Sequence, residues 1–191
     1  GTPILSNMTN IYVPIGMQCT CAEFLKRLGI RQSAFPFDWM FSHLGFVNGI
    51  LSGEKRFEHD CHVQFRTFEH FESSDAGYLA NKADCVVYPH HEADDFGEDG
   101  CYQRRVARLF RALDDDTCTK IFLYATEISK NTRFTFDQVW PHEHDADELH
   151  RLCSFLDEHN VRCKVVVFDF VGRFCNFSHS LVHVLAIDPD Y

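Results

Sequence analysis

Two largely apolar runs, KIFLYA at residues 120–125 and KVVVFDF at residues 164–170, decide the fold of this chain. Runs of this kind are typical of strands that are buried on both faces of a sheet. Residues 145–159, which lie between them, have apolar side chains at helical spacing: Leu149, Leu152, Cys153 and Leu156. Strand, helix and strand in this order favour a parallel pair joined by a crossover. The sequence therefore predicts an α/β fold, with one three-layer domain over residues 1–191 and a largely parallel or mixed sheet.

Similar patterns extend along the rest of the chain. They predict strands at residues 11–15, 84–88 and 181–187, and helices at 20–28, about 40–52 and 102–113. The last strand is expected to join the same sheet as the two apolar runs. On the helix at 20–28 the inward positions are Cys21, Phe24, Leu25 and Leu28. Residues 54–83 show no clean periodicity and receive no assignment.

The composition limits the classes of partner. The chain of 191 residues has 28 acidic and 18 basic side chains, a formal net charge of −10, which argues against a nucleic-acid-binding surface. No apolar run approaches 18 residues, so we expect no membrane partner. The expected partner is a small-molecule or peptide substrate, and the sequence does not indicate the oligomeric state.

The cysteines indicate a compartment rather than a disulfide framework. There are nine, an odd number, and several lie inside apolar runs, where free thiols act as small hydrophobic groups. We therefore expect a reducing, cytoplasmic environment. The sequence has no P-loop or G-x-G-x-x-G motif, and neither of its His-rich clusters, at 58–63 and 141–150, has a closed zinc spacing. No cofactor and no metal are expected.

Two cysteines, Cys19 and Cys21, flank the predicted start of a helix. Thr20 and Glu23 have the spacing of a capping box, which would make Thr20 the N-cap and Cys21 the first helical residue. Cys21 is then expected to be buried. Cys19 would lie just before the cap, where the positive end of the helix dipole lowers the pKa of a thiol. Cys19 is therefore the candidate nucleophile, although packing alone would also explain a small buried residue here.

The same region resembles a known family. The residues that carry the likeness are Gly16, Cys19, Ala22, Leu25, Arg27, Leu28, Gly29, Arg31 and FPFDW at 35–39. They are similar to the N-terminal signature of a family of papain-like cysteine peptidases of unassigned function, which reads G-x-x-C-x-x-A followed by P-F-D-W. Weaker likeness continues in YPHH at 88–91 and YQRRVARLF at 102–110.

The resemblance implies a thiol nucleophile at Cys19 with His90 as its partner. The family often has Asn before the nucleophile, where this chain has Gln18, and either amide could donate to an oxyanion. A papain-like fold implies an antiparallel, barrel-like sheet, whereas residues 120–170 predict a parallel crossover. For the architecture we follow the periodicity.

The partners of the thiol are less sharply indicated. His90 follows the predicted strand at 84–88, and carboxyl ends of strands converge on the ligand crevice of an open α/β sheet. On sequence grounds alone, His91 is an equally good candidate. Only the alignment with the family signature favours His90 over His91. For the carboxylate that orients the imidazole, Asp169 follows one strand and Glu127 follows another, and Asp169 is our assignment.

Further candidate substrate contacts are Asp38, Trp39 and Arg105. Asp38 and Trp39 belong to FPFDW, where an acid between aromatic side chains also fits a buried structural role. Arg105 belongs to a helix that also carries Arg104 and Arg108, and such a cluster could hold a phosphate or carboxylate or could pair with nearby acids.

These features together predict a thiol-dependent hydrolase or acyltransferase that uses a Cys–His pair. Two alternatives stay open. One is a transferase that modifies glycoconjugates and binds a phosphate-bearing donor on the arginine helix. The other is a non-catalytic binding protein that retains the cysteine for packing.

Overall fold

A computed structural model describes residues 9–16, 19–63, 65–66, 78–126, 133–134 and 145–188. The strands are β1 (Asn10–Pro14), β2 (Cys61–Val63), β3 (Phe65–Arg66), β4 (Tyr78–Asn81), β5 (Val86–Tyr88), β6 (Thr119–Ala125), β7 (Arg133–Phe134), β8 (Cys163–Asp169) and β9 (Val182–Ala186). The helices are α1 (Thr20–Arg27), α2 (Leu44–Leu51), α3 (Cys101–Asp114) and α4 (Asp145–Glu158), with a 3₁₀ turn at Ala93–Phe96.

Four of the strands form one parallel sheet in the order β1-β6-β8-β9. Its register aligns Val13 with Phe122, Phe122 with Val165, and Val165 with Val182. The crossover between the two apolar runs contains α4, as the sequence predicts, and the strand predicted at 181–187 joins this sheet. The predicted α/β fold with a largely parallel sheet is confirmed.

The two faces of the parallel sheet pack against different helices. Alternate side chains of a strand point to opposite faces, and on β6 Phe122 belongs to the large core shared with α2, α3 and α4. Its neighbour Leu123 packs with Cys21 and Leu25 of α1 in a second, smaller core. The sheet therefore lies between two helical layers, which is the predicted three-layer arrangement.

The inward face of α1 is narrower than its sequence predicts. Cys21 and Leu25 are buried, but Phe24 is 44% exposed and Leu28 is 54% exposed. Phe24 still packs edge to face with the Phe168 ring on β8, at 5.6 Å between centroids. Periodicity identifies the apolar stripe of a helix, but it does not show how much of that stripe finds a partner.

The strand predicted at 84–88 lies in a different sheet from the one expected. The structure has β5 there, and it pairs antiparallel with β4 in the small sheet β2-β4-β5. Only four residues, 82–85, connect β4 to β5, and a connection this short joins antiparallel neighbours. The loop after β5, with His90 and His91, is therefore not a carboxyl end of the parallel sheet, and that argument for pairing it with Cys19 is wrong.

The helices of the described part of the chain are too short or too polar to cross a membrane. The longest two, α3 and α4, have 14 residues each. A membrane-spanning helix needs about 20 predominantly apolar residues.

Candidate active site

The turn after β1 brings Cys19 to the start of α1. Gly16, in this turn, has a φ of +126°. A Cβ on Gly16 would lie 2.7 Å from the Oγ of Ser42, so both the backbone conformation and the close approach require glycine. Residues 17 and 18 are outside the described part of the chain, and the predicted oxyanion contact of Gln18 lies with them.

The helix begins one residue earlier than the capping box predicts. Cys19 is the N-cap of α1, and its carbonyl oxygen accepts the Glu23 N–H at 2.8 Å. The Cys19 side chain makes no capping hydrogen bond, and Glu23 instead accepts a hydrogen bond from Nε of Arg27 at 3.2 Å. The predicted capping box is therefore wrong, and the position it assigned to Thr20 belongs to Cys19.

The surroundings of Cys19 keep its thiol protonated. Burial raises the pKa of Cys19 to about 11, a hydrogen bond from its own backbone N–H opposes this, and the negative charges of Asp38 and Glu23 add to the rise. The predicted low thiol pKa is therefore wrong. Cys21 is almost fully buried beside Leu25 and Leu123, as expected for a packing residue, and burial raises its pKa to about 12.

Asp38 of the FPFDW segment is a buried acid held by one arginine. Its side chain has no exposed surface, and its Oδ2 accepts hydrogen bonds from Nη2 of Arg31 at 2.5 Å and from Nε of Arg31 at 3.2 Å. Burial raises the pKa of Asp38, while Arg31 and Arg105 pull it down. These contacts favour the structural role over the predicted contact with substrate, since a fully buried carboxylate does not meet solvent.

Trp39 connects this segment to the histidines after β5. Its ring meets the His90 ring edge to face, with 5.8 Å between centroids, and the Arg31 guanidinium lies 5.3 Å from the Trp39 centroid. Of the two neighbours in sequence, Trp39 thus contacts His90, while the negative charge of Asp38 adds to the raised pKa of Cys19. No hydrogen bond between the Cys19 sulfur and the His90 ring occurs among the contacts of the described residues.

The two adjacent histidines have different environments. His90 is exposed, whereas the His91 side chain is 3% exposed and its Nδ1 lies 3.0 Å from Oδ2 of Asp95. The same Nδ1 lies 3.8 Å from the Sγ of Cys101. Burial, partly offset by Asp95, lowers the pKa of His91. Asp95 and Cys101 are not among the residues predicted from the sequence, because they lie four and ten residues after His91 in a run rich in acids, where solvated side chains are the usual interpretation.

Asp169 has no histidine partner among the described residues. It is buried at the end of β8, and its carboxylate accepts the backbone N–H groups of Val171, Arg173 and Phe174 at 3.4, 3.1 and 2.8 Å. No contact of the described residues joins it to His90. The carboxylate therefore serves to fold the loop that follows β8, and the alternative residue, Glu127, lies outside the described residues.

The arginines of α3 are largely engaged by the protein itself. Arg104 donates to the carbonyl oxygen of Asp99, and Arg108 donates to that of Ala34. Arg105 points inward, with its guanidinium 5.9 Å from the Tyr102 ring centroid, and its buried Nη1 has no hydrogen-bond partner among the described residues. This use of Arg104 and Arg108 gives no support to a phosphate-binding helix.

Comparison with known protein families gives a match over the N-terminal part of the chain. A family model described as "Putative papain-like cysteine peptidase (DUF1796)" matches residues 10–92, which is less than half of the chain. The match runs from β1 through the loop after β5 and so includes Cys19, Trp39 and His90, but not Arg105 or Asp169. No curated protein and no solved structure matches the chain significantly. The resemblance found in the N-terminal signature is therefore supported at the level of the family.

Proposed function

We propose that this protein is a thiol-dependent hydrolase or acyltransferase in which Cys19 is the nucleophile and His90 the general base. The observation that carries the proposal is that Cys19 is the N-cap of α1, five residues after the last residue of β1, within the segment that matches the peptidase family. A sulfur at a helix N-terminus faces the positive end of the helix dipole, which stabilises a thiolate as it forms.

The raised pKa of Cys19 favours a mechanism in which the thiol loses its proton during the attack on the substrate. With a pKa of about 11, roughly one Cys19 thiol in ten thousand is ionised at pH 7, so a resting thiolate–imidazolium pair is not the starting state. His90 would instead remove the thiol proton while the sulfur attacks the carbonyl carbon of the substrate. The S–C bond forms, and the π electrons of the carbonyl move onto its oxygen.

The first turn of α1 offers donors for that oxyanion. The first intrahelical hydrogen bond of α1 is the one from Glu23 N–H to Cys19, so the N–H groups of Thr20, Cys21 and Ala22 precede it and have no acceptor within the helix. Collapse of the intermediate breaks the bond to the leaving group, which takes the proton from His90. Water then cleaves the thioester in a hydrolase, and another nucleophile does so in an acyltransferase.

The test is acylation by an activated ester, p-nitrophenyl acetate, followed by peptide mapping of all nine cysteines. We expect the acetyl group on Cys19 and its loss in Cys19→Ala. His90→Ala should slow acylation by about 100-fold or more, the usual contribution of a general base, while His91→Ala, which removes the neighbouring ring, should leave the rate within a few-fold. Thermal unfolding of each variant checks that the fold is intact.

Cys175→Ala is the matched control for the thiol. Cys175 is the exposed cysteine of the described residues, so chemical accessibility alone would direct the ester there. Acylation that follows Cys175 rather than Cys19, or a Cys19 acylation rate that His90→Ala leaves unchanged, would contradict the proposal.

A further inference from the structure

Three side chains with metal-binding atoms converge where the loop after β5 meets the start of α3. The Nδ1 of His91 lies 3.0 Å from the Oδ2 of Asp95 and 3.8 Å from the Sγ of Cys101, and the three atoms all lie within 4.8 Å of one another. In a tetrahedral zinc site, with metal–ligand distances of about 2.0–2.3 Å, neighbouring ligand atoms are about 3.3–3.6 Å apart. We propose that His91, Asp95 and Cys101 bind a zinc ion.

The arrangement differs from that of a catalytic triad. In a triad the imidazole contacts the nucleophile through one nitrogen and the orienting carboxylate through the other. Here Asp95 and Cys101 both approach the same nitrogen, Nδ1, while Nε2 of His91 is buried and has no partner among the described residues. Three ligand atoms around one point form a chelating set, not a proton relay.

The backbone holds two of the ligands in place. The Glu92 N–H donates to Oδ2 of Asp95 at 3.2 Å, and the Asp95 N–H donates to the Glu92 carbonyl at 3.0 Å, so the carboxylate is fixed on the 3₁₀ turn. Cys101 is the first residue of α3, directly after Gly100. A Cβ on Gly100 would lie 2.2 Å from the Asp95 carbonyl oxygen, so glycine permits the close approach of these two ligand-bearing segments.

Charge and access also fit a divalent cation. A neutral imidazole is the form that binds metal, and the His91 side chain is almost fully buried beside the other two ligands. Asp95 supplies one negative charge and Cys101, once deprotonated by the metal, supplies another. The Asp95 side chain is 32% exposed, and His91 lines a cavity of about 520 Å³ together with His62, Tyr78 and His90, so solvent reaches this part of the surface.

The ligand types select zinc and predict an open position. One thiolate, one imidazole and one carboxylate form a mixed S, N and O set, which suits zinc better than magnesium or calcium. Three protein ligands leave the fourth position of a tetrahedron for water or a bound molecule. The inference concerns residues apart from Cys19, and it holds whether or not Cys19 is a nucleophile.

The test is titration of the full-length, metal-free protein with Co²⁺, which reports zinc sites spectroscopically, followed by displacement with Zn²⁺. We expect one equivalent of Co²⁺ to give the visible bands of tetrahedral coordination and a near-ultraviolet sulfur-to-cobalt charge-transfer band. One equivalent of Zn²⁺ should remove both. Competition with a chromophoric chelator gives the zinc affinity.

Variants identify the ligands. Cys101→Ser should abolish the charge-transfer band, and Asp95→Asn should weaken zinc binding by more than the roughly 10- to 100-fold that loss of an outer-shell partner costs. Asp94→Asn, one residue away on the same turn and exposed, is the control for Asp95. Cys61→Ser is the control for Cys101, because Cys61 also has Asp and His as sequence neighbours but its Sγ lies 3.7 Å from the Ala80 carbonyl oxygen, the acceptor of its S–H.

The wild-type titration alone can overturn the proposal, whether or not any variant folds. Absence of a stoichiometric charge-transfer band in the wild-type protein would do so. The proposal would also be overturned if the charge-transfer band survived in folded Cys101→Ser. Loss of the band in Cys61→Ser or Cys19→Ser instead would overturn it as well, because the metal would then lie elsewhere.

Discussion

Cys19 and Cys101 lie within one position of each other at the N-termini of two different helices. Cys19 is the N-cap of α1 and Cys101 the first residue of α3, each follows a turn that contains a tightly packed glycine, and burial raises the pKa of each thiol to about 11. Their neighbours differ. Cys101 has an imidazole and a carboxylate beside its sulfur, whereas no described side chain donates to or accepts from the sulfur of Cys19.

The difference shows that a helix N-terminus does not by itself determine the chemistry of a thiol. The dipole contributes typically 0.3–1 kcal/mol at a surface site, and one pKa unit corresponds to about 1.4 kcal/mol. At both cysteines burial outweighs it. What separates the two sites is the groups within a few ångströms of each sulfur, so the following experiments change those groups.

The largest effect is expected from zinc on alkylation. Because both thiols have a pKa of about 11, iodoacetamide should label each with a rate that rises about tenfold per pH unit between pH 7 and 10. One equivalent of Zn²⁺ should slow labelling of Cys101 by about 100-fold and leave Cys19 within twofold, as measured by mass spectrometry of the labelled peptides. Equal protection of the two cysteines would remove the distinction between them.

The next largest effect is expected from Arg31→Ala, which leaves Asp38 buried without its ion-pair partner. Loss of one member of a buried pair costs about 3–5 kcal/mol, and since the Arg31 side chain is 24% exposed we expect the lower end of that range at pH 7. The measurement is the free energy of unfolding in urea. Lys26→Ala, which removes an exposed cation that also lies near Trp39, is the control and should cost under about 0.5 kcal/mol.

The pH dependence of Arg31→Ala follows from the raised pKa of Asp38. A carboxyl group whose pKa is higher in the folded than in the unfolded state, where it is 3.8, stabilises the fold most below pH 3.8 and loses that contribution as the pH rises through its folded value. Without Arg31 the folded pKa rises further. The stability difference between wild type and variant should therefore shrink as the pH falls from 7 towards 4; a constant difference would show that Asp38 is not the group left unpaired.

The two glycines should respond differently to alanine. At Gly100 the added Cβ meets a backbone oxygen at 2.2 Å, which no side-chain movement relieves, so we expect Gly100→Ala to cost about 3 kcal/mol of unfolding free energy. At Gly16 the Cβ meets the hydroxyl of Ser42, and the positive φ adds strain, so Gly16→Ala should cost about 2 kcal/mol.

The double variant Gly16→Ala, Ser42→Ala separates these two contributions. Removal of the Ser42 hydroxyl should recover the part of the unfolding free energy that Gly16→Ala loses through the clash, and it should not recover the part lost through the positive φ. The measurement is urea unfolding of the double variant compared with Ser42→Ala alone. Full recovery would mean that the left-handed backbone at Gly16 costs nothing. Gly100→Ala offers no comparable rescue.

The smallest effect is expected from the two neighbouring cysteines of α1. Cys21→Ala removes a sulfur from the core between α1 and the sheet and should cost about 1 kcal/mol, whereas Cys19→Ala, at a half-buried N-cap that makes no side-chain cap, should cost under about 0.5 kcal/mol. Thermal unfolding measures both. A larger cost at Cys19 would show that this residue is retained for packing.

The parts of the fold that the sequence predicts are those with long, regular patterns. The prediction of the inward face of α4 is confirmed, since its four residues are buried: Leu149, Leu152, Cys153 and Leu156. The strands β6 and β8 lie where the apolar runs indicate. The expectation that His90 follows a strand whose carboxyl end faces the ligand crevice is wrong, because a three-residue apolar strand fits either sheet and only the short connection to β4 decides. Local sequence patterns thus locate helices and strands well, but they do not show which strands pair.

The candidate site likewise contains residues that the sequence predicts and residues that it does not. Cys19 could be found because a helix start and a family signature coincide there, yet its pKa could not, since burial depends on side chains distant in sequence. The cluster of His91, Asp95 and Cys101 could not be predicted because its members lie on a loop, a 3₁₀ turn and a helix, and only the chain path from Gly97 to Gly100 brings them together. Contacts between residues on separate elements produce no periodic pattern in the sequence.

The strand order of the parallel sheet also bears on how the chain is made. β1 pairs only with β6 in that sheet, and Val13 meets Phe122 about a hundred positions later. During synthesis at about 5–20 residues per second, the segment that ends at Cys19 therefore waits roughly 5–20 s on the ribosome before its neighbouring strand exists. The β4–β5 hairpin, closed by four residues, needs no such wait. The thiol at the start of α1 is thus exposed to the cell's reductants, oxidants and chaperones before the fold can bury it.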